Sequence, residues 1–355
     1  SWASDGQVTT HEVDLFEVHT DDGPTGFTAF PSFPGGINVE GAFESTLIGE
    51  DPREIEQILE KLKTIDFLGI EARFFELAMW DILGKSVGEP IWRLLGGDPS
   101  PIPAYASMGE RKSREDQISY VEKRIDEGFD AVKMRFGAAD PEDDRDLPLA
   151  RYIREEFQDL VLMVDANMGW SMQLEGEKSA RWSPKTAQYV ASELEEIGVA
   201  WLEEPLPMHN YERLAELRAA TSTPIAGGES VQGIVPLREY IEYGSLDILQ
   251  PDVVFATGIR QGKAIADAAS MHGLEFAPHT WSNGLGLAAN LHLMAATDVR
   301  WCEYPLEPPG LTPAARDFFL ENPIDHRMGS VTPPTDPGLG VQIDWSAVEK
   351  SERPI

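Results

Sequence analysis

From about Pro103 the chain alternates short apolar runs with stretches in which apolar residues recur every three or four positions. The runs fall near residues 103–106, 131–135, 160–165, 200–203, 224–228, 248–252, 275–279 and 300–303, which makes eight candidate strands. Seven helical patterns lie between them. Ser113 caps a stripe of Ile118, Val121 and Ile125 that Gly128 ends. Ser183-Pro184 opens another with Ala187, Val190 and Leu194, stopped by Gly198. Asn210, Pro236 and Gly258 mark later starts. Strands alternating with helices imply parallel pairing through right-handed crossovers. At this length a closed barrel is favoured over a doubly wound sheet. The absence of a GxGxxG after a first strand points away from a dinucleotide fold.

The first hundred residues follow another rhythm. Residues 13–20 alternate apolar and polar, Asp21-Asp22-Gly23 turns the chain, and residues 26–30 resume the alternation, which predicts a hairpin. Asp51-Pro52-x-Glu54 reads as a capping box on a helix carrying Ile55, Leu59 and Leu62. A second helix is expected over about 69–85. The fold class is therefore α/β, a (β/α)7β barrel over residues 103–310. An α+β segment (1–102) precedes it, and a Pro- and Gly-rich tail (311–355) is expected to pack back on that segment.

Composition narrows the function. Asp plus Glu number 61 against 29 Lys plus Arg, of which 10 are Lys, giving a formal net charge of −32. Such a chain lacks the basic stripes that neutralise phosphates, so no nucleic-acid partner is expected. Acidic disorder would have few aromatics, whereas 9% here are aromatic and the periodicity is strong. The charge fits a folded protein of a salt-rich cytoplasm, where a Debye length of about 3 Å at molar salt screens surface repulsion. No apolar run approaches the roughly 20 residues of a membrane span, and residues 1–10 show no signal segment. The single cysteine, Cys302, allows no internal disulfide and reads as a small buried hydrophobe.

Candidate chemistry gathers where a parallel barrel keeps its active site, at the C-terminal strand ends. Asp165 ends the apolar run in VLMVDAN, Glu203 ends that in VAWLEEP, and Glu229 follows the run in PIAGGES. One βα unit separates each from the next, so the three carboxylates converge and call for a divalent cation. Oxygen-only ligation favours Mg2+, with Mn2+ an alternative, over zinc. Lys133 and Arg135 share a strand face and suit a carboxylate substrate. Asp252 and His279 follow on the next two strands, and a carboxylate beside an imidazole fixes its tautomer and poises a base. Glu303 ends the eighth strand, either as a neutral carboxylic acid that donates to a developing enediolate oxygen or as a charged partner of His279 or Arg135. Asn167, Trp170 and Trp281 follow strand ends, where they either contact a polyol or simply pack. A cation and charged groups at the carboxylate oxygens, with a tuned base, are what removal of a weakly acidic α-proton requires.

In order along the chain, AMWDILGKSVGEPIWRLLGG, AVKMR, VDAN, WLEEP, GGES, QPDVV, APHTW and CEYP resemble the enolase superfamily, specifically its mandelate racemase-like subgroup. The resemblance spans almost the whole chain. It implies a cap and a (β/α)7β barrel under a mobile lid. It assigns Asp165, Glu203 and Glu229 as metal ligands, leaves Glu204 outside that set, and makes Asp252 and His279 the base dyad. Relatives similar to muconate lactonising enzyme carry Lys where this chain has Asp252, which favours the racemase and acid-sugar dehydratase branch. Mandelate racemase carries Lys-x-Lys on the second strand; the second cation here is Arg135, effectively always protonated, which favours a one-base dehydratase. The chain opens near the second cap strand, so the first strand and the specificity loop are expected to be short or missing. The leading expectation is an aldonic- or aldaric-acid dehydratase. A hydroxy-acid racemase or epimerase and a non-catalytic ligand-binding relative are the alternatives. An even-numbered homo-oligomer is expected from the resemblance.

Overall fold

The computed structural model describes residues 12–32, 41–67, 74–169 and 181–351. Eleven strands fall in that range. The hairpin pairs β1 (Val13–Val18) with β2 (Gly26–Pro31), antiparallel, with Val18 opposite Gly26. Seven residues therefore separate the two strands, a wider connection than a tight Asp-Asp-Gly turn.

The barrel follows as β3 (Ile102–Ser107), β4 (Ala131–Arg135), β5 (Val161–Asp165), β6 (Leu202–Glu203), β7 (Ile225–Gly227), β8 (Ile248–Leu249), β9 (Glu275–Phe276) and β10 (Cys302–Pro305). Their order is β10-β3-β4-β5-β6-β7-β8-β9, each neighbour parallel, and β11 (Ser330–Val331) adds antiparallel to β3. Between β9 and β10 side-chain bonds take over: the Thr280 backbone N–H donates to Glu303 Oε2 and its hydroxyl to the Glu303 carbonyl.

Helices over Arg114–Asp126, Leu147–Glu156, Pro184–Ile197, Tyr211–Ala219, Ile234–Tyr243, Gly258–Met271 and Gly284–Ala295 make the seven crossovers. Ser113 and Ser183 accept from the backbone N–H three residues on, and Gly198 closes its helix in the left-handed region. The helix expected from Pro236 begins two residues earlier, at Ile234; proline is tolerated in a first turn because its missing N–H would be unpaired there. The buried face of Arg114–Asp126 is Gln117, Tyr120, Val121 and Arg124, while Ile125 is 41% exposed. Arg124 can be buried there because its guanidinium lies 4.8 Å from the Tyr120 ring centroid and reaches Glu127.

In the cap, a helix spans Ile55–Phe67. Asp51 does not form a capping box with Glu54: its carboxylate takes the N–H and guanidinium of Arg53. The second cap helix is described over Phe75–Val87; its expected start near Gly69 falls in residues 68–73, which lie outside the described range. The tail meets the cap where Gly338 and Leu339 lie against Asp81, and where Trp92 Nε1 donates to the Pro334 carbonyl at 2.8 Å. Cys302 is fully buried, as a small hydrophobe.

One layer inside the barrel positions everything above it. Tyr105, Ala131, Met163, Trp201, Ala226, Ile248, Ala277 and Trp301 form an apolar cluster, one residue from each strand or its edge. Strand side chains repeat every two residues. Two positions further on stand Ser107, Lys133, Asp165, Glu203, Gln250, His279 and Glu303. The large Tyr105, Trp201 and Trp301 fill the space that three alanines leave, and the charged layer rests on this floor.

Candidate active site at the barrel mouth

Asp165 and Glu203 are the last residues of β5 and β6 and face each other in register. Glu229 lies two residues beyond β7. One oxygen from each of these three buried carboxylates lies within 4.8 Å of the other two, and this is the cluster found among the described residues. Burial first, then Asp165, pushes the Glu203 pKa to about 8. Burial also raises Glu229, against the pull of His279. Three buried carboxylates drawn together, with oxygen donors only, fit a hard divalent cation.

Lys133 is buried beneath them. Its Nζ lies 2.6 Å from Glu203 Oε1, 2.7 Å from Glu303 Oε1 and 3.5 Å from Asp165 Oδ2. Burial disfavours the ammonium, but Glu203 and Glu303 outweigh it and keep Lys133 protonated. Glu203 Oε2 also accepts from Gln250 Nε2 at 2.9 Å and Trp201 Nε1 at 3.1 Å. Arg135, partly buried, donates from Nη1 to the Gly109 carbonyl at 3.2 Å.

His279 Nδ1 lies 2.9 Å from Asp252 Oδ2, and its Nε2 lies 3.5 Å from Glu229 Oε2. Asp252 is wholly buried, so Nδ1 carries the hydrogen and Nε2 faces the carboxylate cluster. Burial would lower the His279 pKa; Glu229, Glu303 and Asp252 overcome it and push it up to about 10. Neither residue ends a strand ladder as expected: each lies three residues past β8 or β9. Asp252 instead opens a π-helical turn, Val253–Thr257, a feature frequent at functional sites. Phe255 of that turn lies 6.3 Å from the His279 ring and 5.6 Å from Phe30 of β2, so the hairpin walls the imidazole side with aromatic surface.

Glu303 departs from its reading as a neutral acid and from pairing with Arg135. Oε1 receives Lys133, the Ser107 hydroxyl at 2.8 Å and Trp281 Nε1 at 3.1 Å; Oε2 receives the Thr280 N–H at 2.9 Å. Burial would raise its pKa, but Lys133 and His279 reverse this and hold it at about 2. A carboxyl surrounded by donors has no acceptor for a proton of its own. Trp281 spends its indole N–H on Ser107 and Glu303, leaving its half-buried ring as a wall. Asn167 adopts a left-handed φ of 50° and donates its backbone N–H to Asp165 Oδ1. Trp170 lies outside the described residues. Glu204 does not join the three-carboxylate cluster; both its oxygens are buried without a partner, and burial raises its pKa strongly.

Ser107, Gln250, Thr280 and Asn290 went unread in the sequence. Counting by two from the apolar layer would have found Ser107 and Gln250. Asn290 is a fully buried amide in GLGLAANLHLMA, apolar but for Asn290 and His292, and its polarity there was the signal.

Comparison with known proteins identifies the family. Residues 3–96 match the mandelate racemase/muconate lactonizing enzyme N-terminal domain, and residues 117–347 match the enolase C-terminal domain-like model. The chain is 31% identical to D-galactarolactone cycloisomerase of Agrobacterium fabrum, over 96% of this chain and 91% of that protein. It is 29% identical to arabinonate dehydratase of Saccharolobus solfataricus, over 94% and 88%. L-talarate dehydratase of Polaromonas sp. JS666, solved with Mg and L-glucarate, superposes with a TM-score of 0.78 at 25% identity, covering 95% of this chain and 91% of that one. With a capping region, a parallel barrel and both domain models matched, the chain belongs to the mandelate racemase/muconate lactonizing enzyme family of the enolase superfamily.

Proposed function

We propose that the protein is a Mg2+-dependent hydro-lyase that dehydrates an aldonic or aldaric acid, of the gluconate or xylonate type, to a 2-keto-3-deoxy acid. The observation that carries this is the His279–Asp252 pair facing the Asp165–Glu203–Glu229 cluster; Arg135, two residues past Lys133, stands at the position where the resemblance to mandelate racemase would put a second base. Asp165, Glu203 and Glu229 would hold the cation, which when bound stabilises negative charge on the substrate carboxylate oxygens. Mn2+ suits the same ligands. Arg135 and Lys133 orient that carboxylate, and Asn167 and the Trp281 ring border the polyol. Once a bound cation offsets the carboxylate charge that keeps His279 protonated, its Nε2 would take the C2 proton while Asp252 holds the imidazole from Nδ1. The resulting imidazolium returns the proton to the departing C3 hydroxyl, which leaves as water, and the enol product ketonises. Glu303 keeps Lys133 in place as an ammonium.

A one-base site explains dehydration without a second proton carrier, since Lys133 is pinned by Glu203 and Glu303 and arginine does not deprotonate. Racemisation remains the second reading because the same base would begin it, and a catalytically silent binder the third. A screen of aldonic and aldaric acids with Mg2+ in molar KCl, detecting 2-keto acids with semicarbazide, tests the reading. Water loss from one or a few acids supports it; solvent-deuterium exchange at C2 without water loss moves the assignment to racemase. His279→Asn should cost about 10²–10⁴-fold in rate, and full dehydration by that variant sinks the mechanism. The acidic composition further supports a salt-rich cytoplasm, with greater stability expected in molar salt than in dilute buffer. Light scattering in high salt tests the even-numbered homo-oligomer.

A further inference from the structure

We infer that Asn290 is the positioning residue of the His279–Asp252 pair, acting on Asp252 from the adjacent helix Gly284–Ala295. In its catalytic aspect this rests on the proposed α-proton abstraction, but the contact itself does not.

Asp252 has two oxygens and two tasks. Oδ2 faces His279 Nδ1 at 2.9 Å. Oδ1 is held from the other side, by the Val254 N–H at 2.7 Å and by Asn290 Nδ2 at 3.3 Å. The same Asn290 amide accepts the Val253 N–H on Oδ1 at 3.3 Å and donates to the Gly286 carbonyl at 3.2 Å. It thus grips both the carboxylate and the first peptide of the π-helical turn. Asp252, Val253 and Asn290 are all fully buried, so no solvent can replace a lost bond. A buried primary amide in an apolar helix costs free energy unless its donors and acceptor are used, and here they are.

The helix that carries Asn290 is itself fixed. Asn283 caps it by accepting the Leu285 and Gly286 N–H groups, and its own amide donates to the Ala29 carbonyl of β2. A Cβ on Gly286 would lie 2.0 Å from Ser282 Oγ and 2.8 Å from Val254, so this helix start abuts the turn closely. Docking of the cap hairpin therefore reaches Asp252 through two asparagines on one helix. Rotation of the Asp252 carboxyl swings the imidazole, and a misplacement of about 1 Å can cost about a hundredfold in rate.

Two variants separate the functions of the amide. Asn290→Asp is isosteric and keeps the acceptor for the Val253 N–H, but sets a carboxylate against Asp252 Oδ1. Asn290→Leu removes both contacts. The first readout is histidine-15N-labelled NMR of the whole protein, with the His279 signal among seven histidines identified by its loss in His279→Asn. The expected result is a low-field Nδ1–H resonance in the wild type that shifts upfield or disappears in Asn290→Asp, with the melting temperature kept within a few degrees. The second readout is kcat against KM on an active acid sugar, where kcat should fall about 10–100-fold with KM nearly unchanged. An unchanged His279 resonance in folded Asn290→Asp and Asn290→Leu overturns the inference, and so does an Asn290→Asp protein that fails to fold, which would make the amide structural only. Absence of wild-type turnover on every acid would refute the proposed dehydration, while the NMR comparison would still decide the role of Asn290.

Discussion

Two of the buried carboxylate centres stand in contrast, one at the cap–tail seam and one at the barrel mouth. At the seam Asp81 accepts from the Phe27 N–H at 3.1 Å, the Lys85 ammonium at 2.7 Å and the Leu339 N–H at 2.8 Å. Both oxygens have donors, and one cation faces one anion. At the mouth Asp165, Glu203 and Glu229 crowd together, with Lys133 against Asp165 and Glu203 and His279 against Glu229, and Glu204 next to them has two buried oxygens with no hydrogen-bond partner among the described residues. Satisfied groups hold the chain together; crowded or unpartnered ones raise its energy and persist where a ligand would complete them. The seam is therefore structural and the mouth is poised for a cation.

Each end of that contrast can be attacked. The largest effect belongs to the mouth: Glu229→Gln should weaken Mg2+ binding by more than about a hundredfold, since even outer contacts of a metal site cost about 10–100-fold. The metal-free protein should keep or gain stability, because a repulsion is relieved. Calorimetric titration and urea unfolding give both numbers, and a large loss of stability would erase the distinction. Asp81→Ala should do the reverse, costing about 2–4 kcal/mol of unfolding free energy by leaving the Phe27 and Leu339 N–H groups without their acceptor and the partly exposed Lys85, which keeps the Thr25 carbonyl, without its anion, with Mg2+ affinity unchanged at temperatures where the variant is folded.

A pH effect comes next. Buried His292 accepts from the Trp92 N–H on Nδ1 at 3.2 Å and has Nε2 3.1 Å from the Leu339 carbonyl, joining cap, barrel helix and tail. Burial pushes its pKa down to about 4. The unfolded chain takes a proton near pH 6.5 and the folded chain does not until about pH 4, so stability drops as pH falls through that window. The total is about 3 kcal/mol at 1.36 kcal/mol per unit. His292→Gln should lose stability less steeply than the wild type between pH 6.5 and 4; parallel curves would remove His292 from the seam's account. The smallest effect is Trp281→Phe, which deletes one donor to Glu303 and should lower kcat about tenfold with little change in stability. A loss equal to that of His279→Asn would mean that the indole touches the reacting centre directly.

The alternation after Pro103 was enough to lay out strands, crossovers and the order of the carboxylates, because period-2 runs and helix caps are local properties. It misjudged where regularity stops. Glu229, Asp252 and His279 lie beyond paired strand ends, and Ile125 lies outside its helix's buried face, because burying Arg124 with Tyr120 and Glu127 decides which side faces inward. Residue type alone restricted Arg135 to one charge state and the metal ligands to oxygen. What Glu303 does was a tertiary matter: a carboxyl is an acid or an anion according to what surrounds it, and Ser107, Lys133 and the neighbours Thr280 and Trp281 come from three separate segments. The same holds for Asn290, whose partner Asp252 is 38 residues away. The sequence determined which groups exist and on which strand or helix they ride. Only the closed barrel decided their protonation and aim, because those depend on the donors, charges and excluded water that distant segments bring to one point.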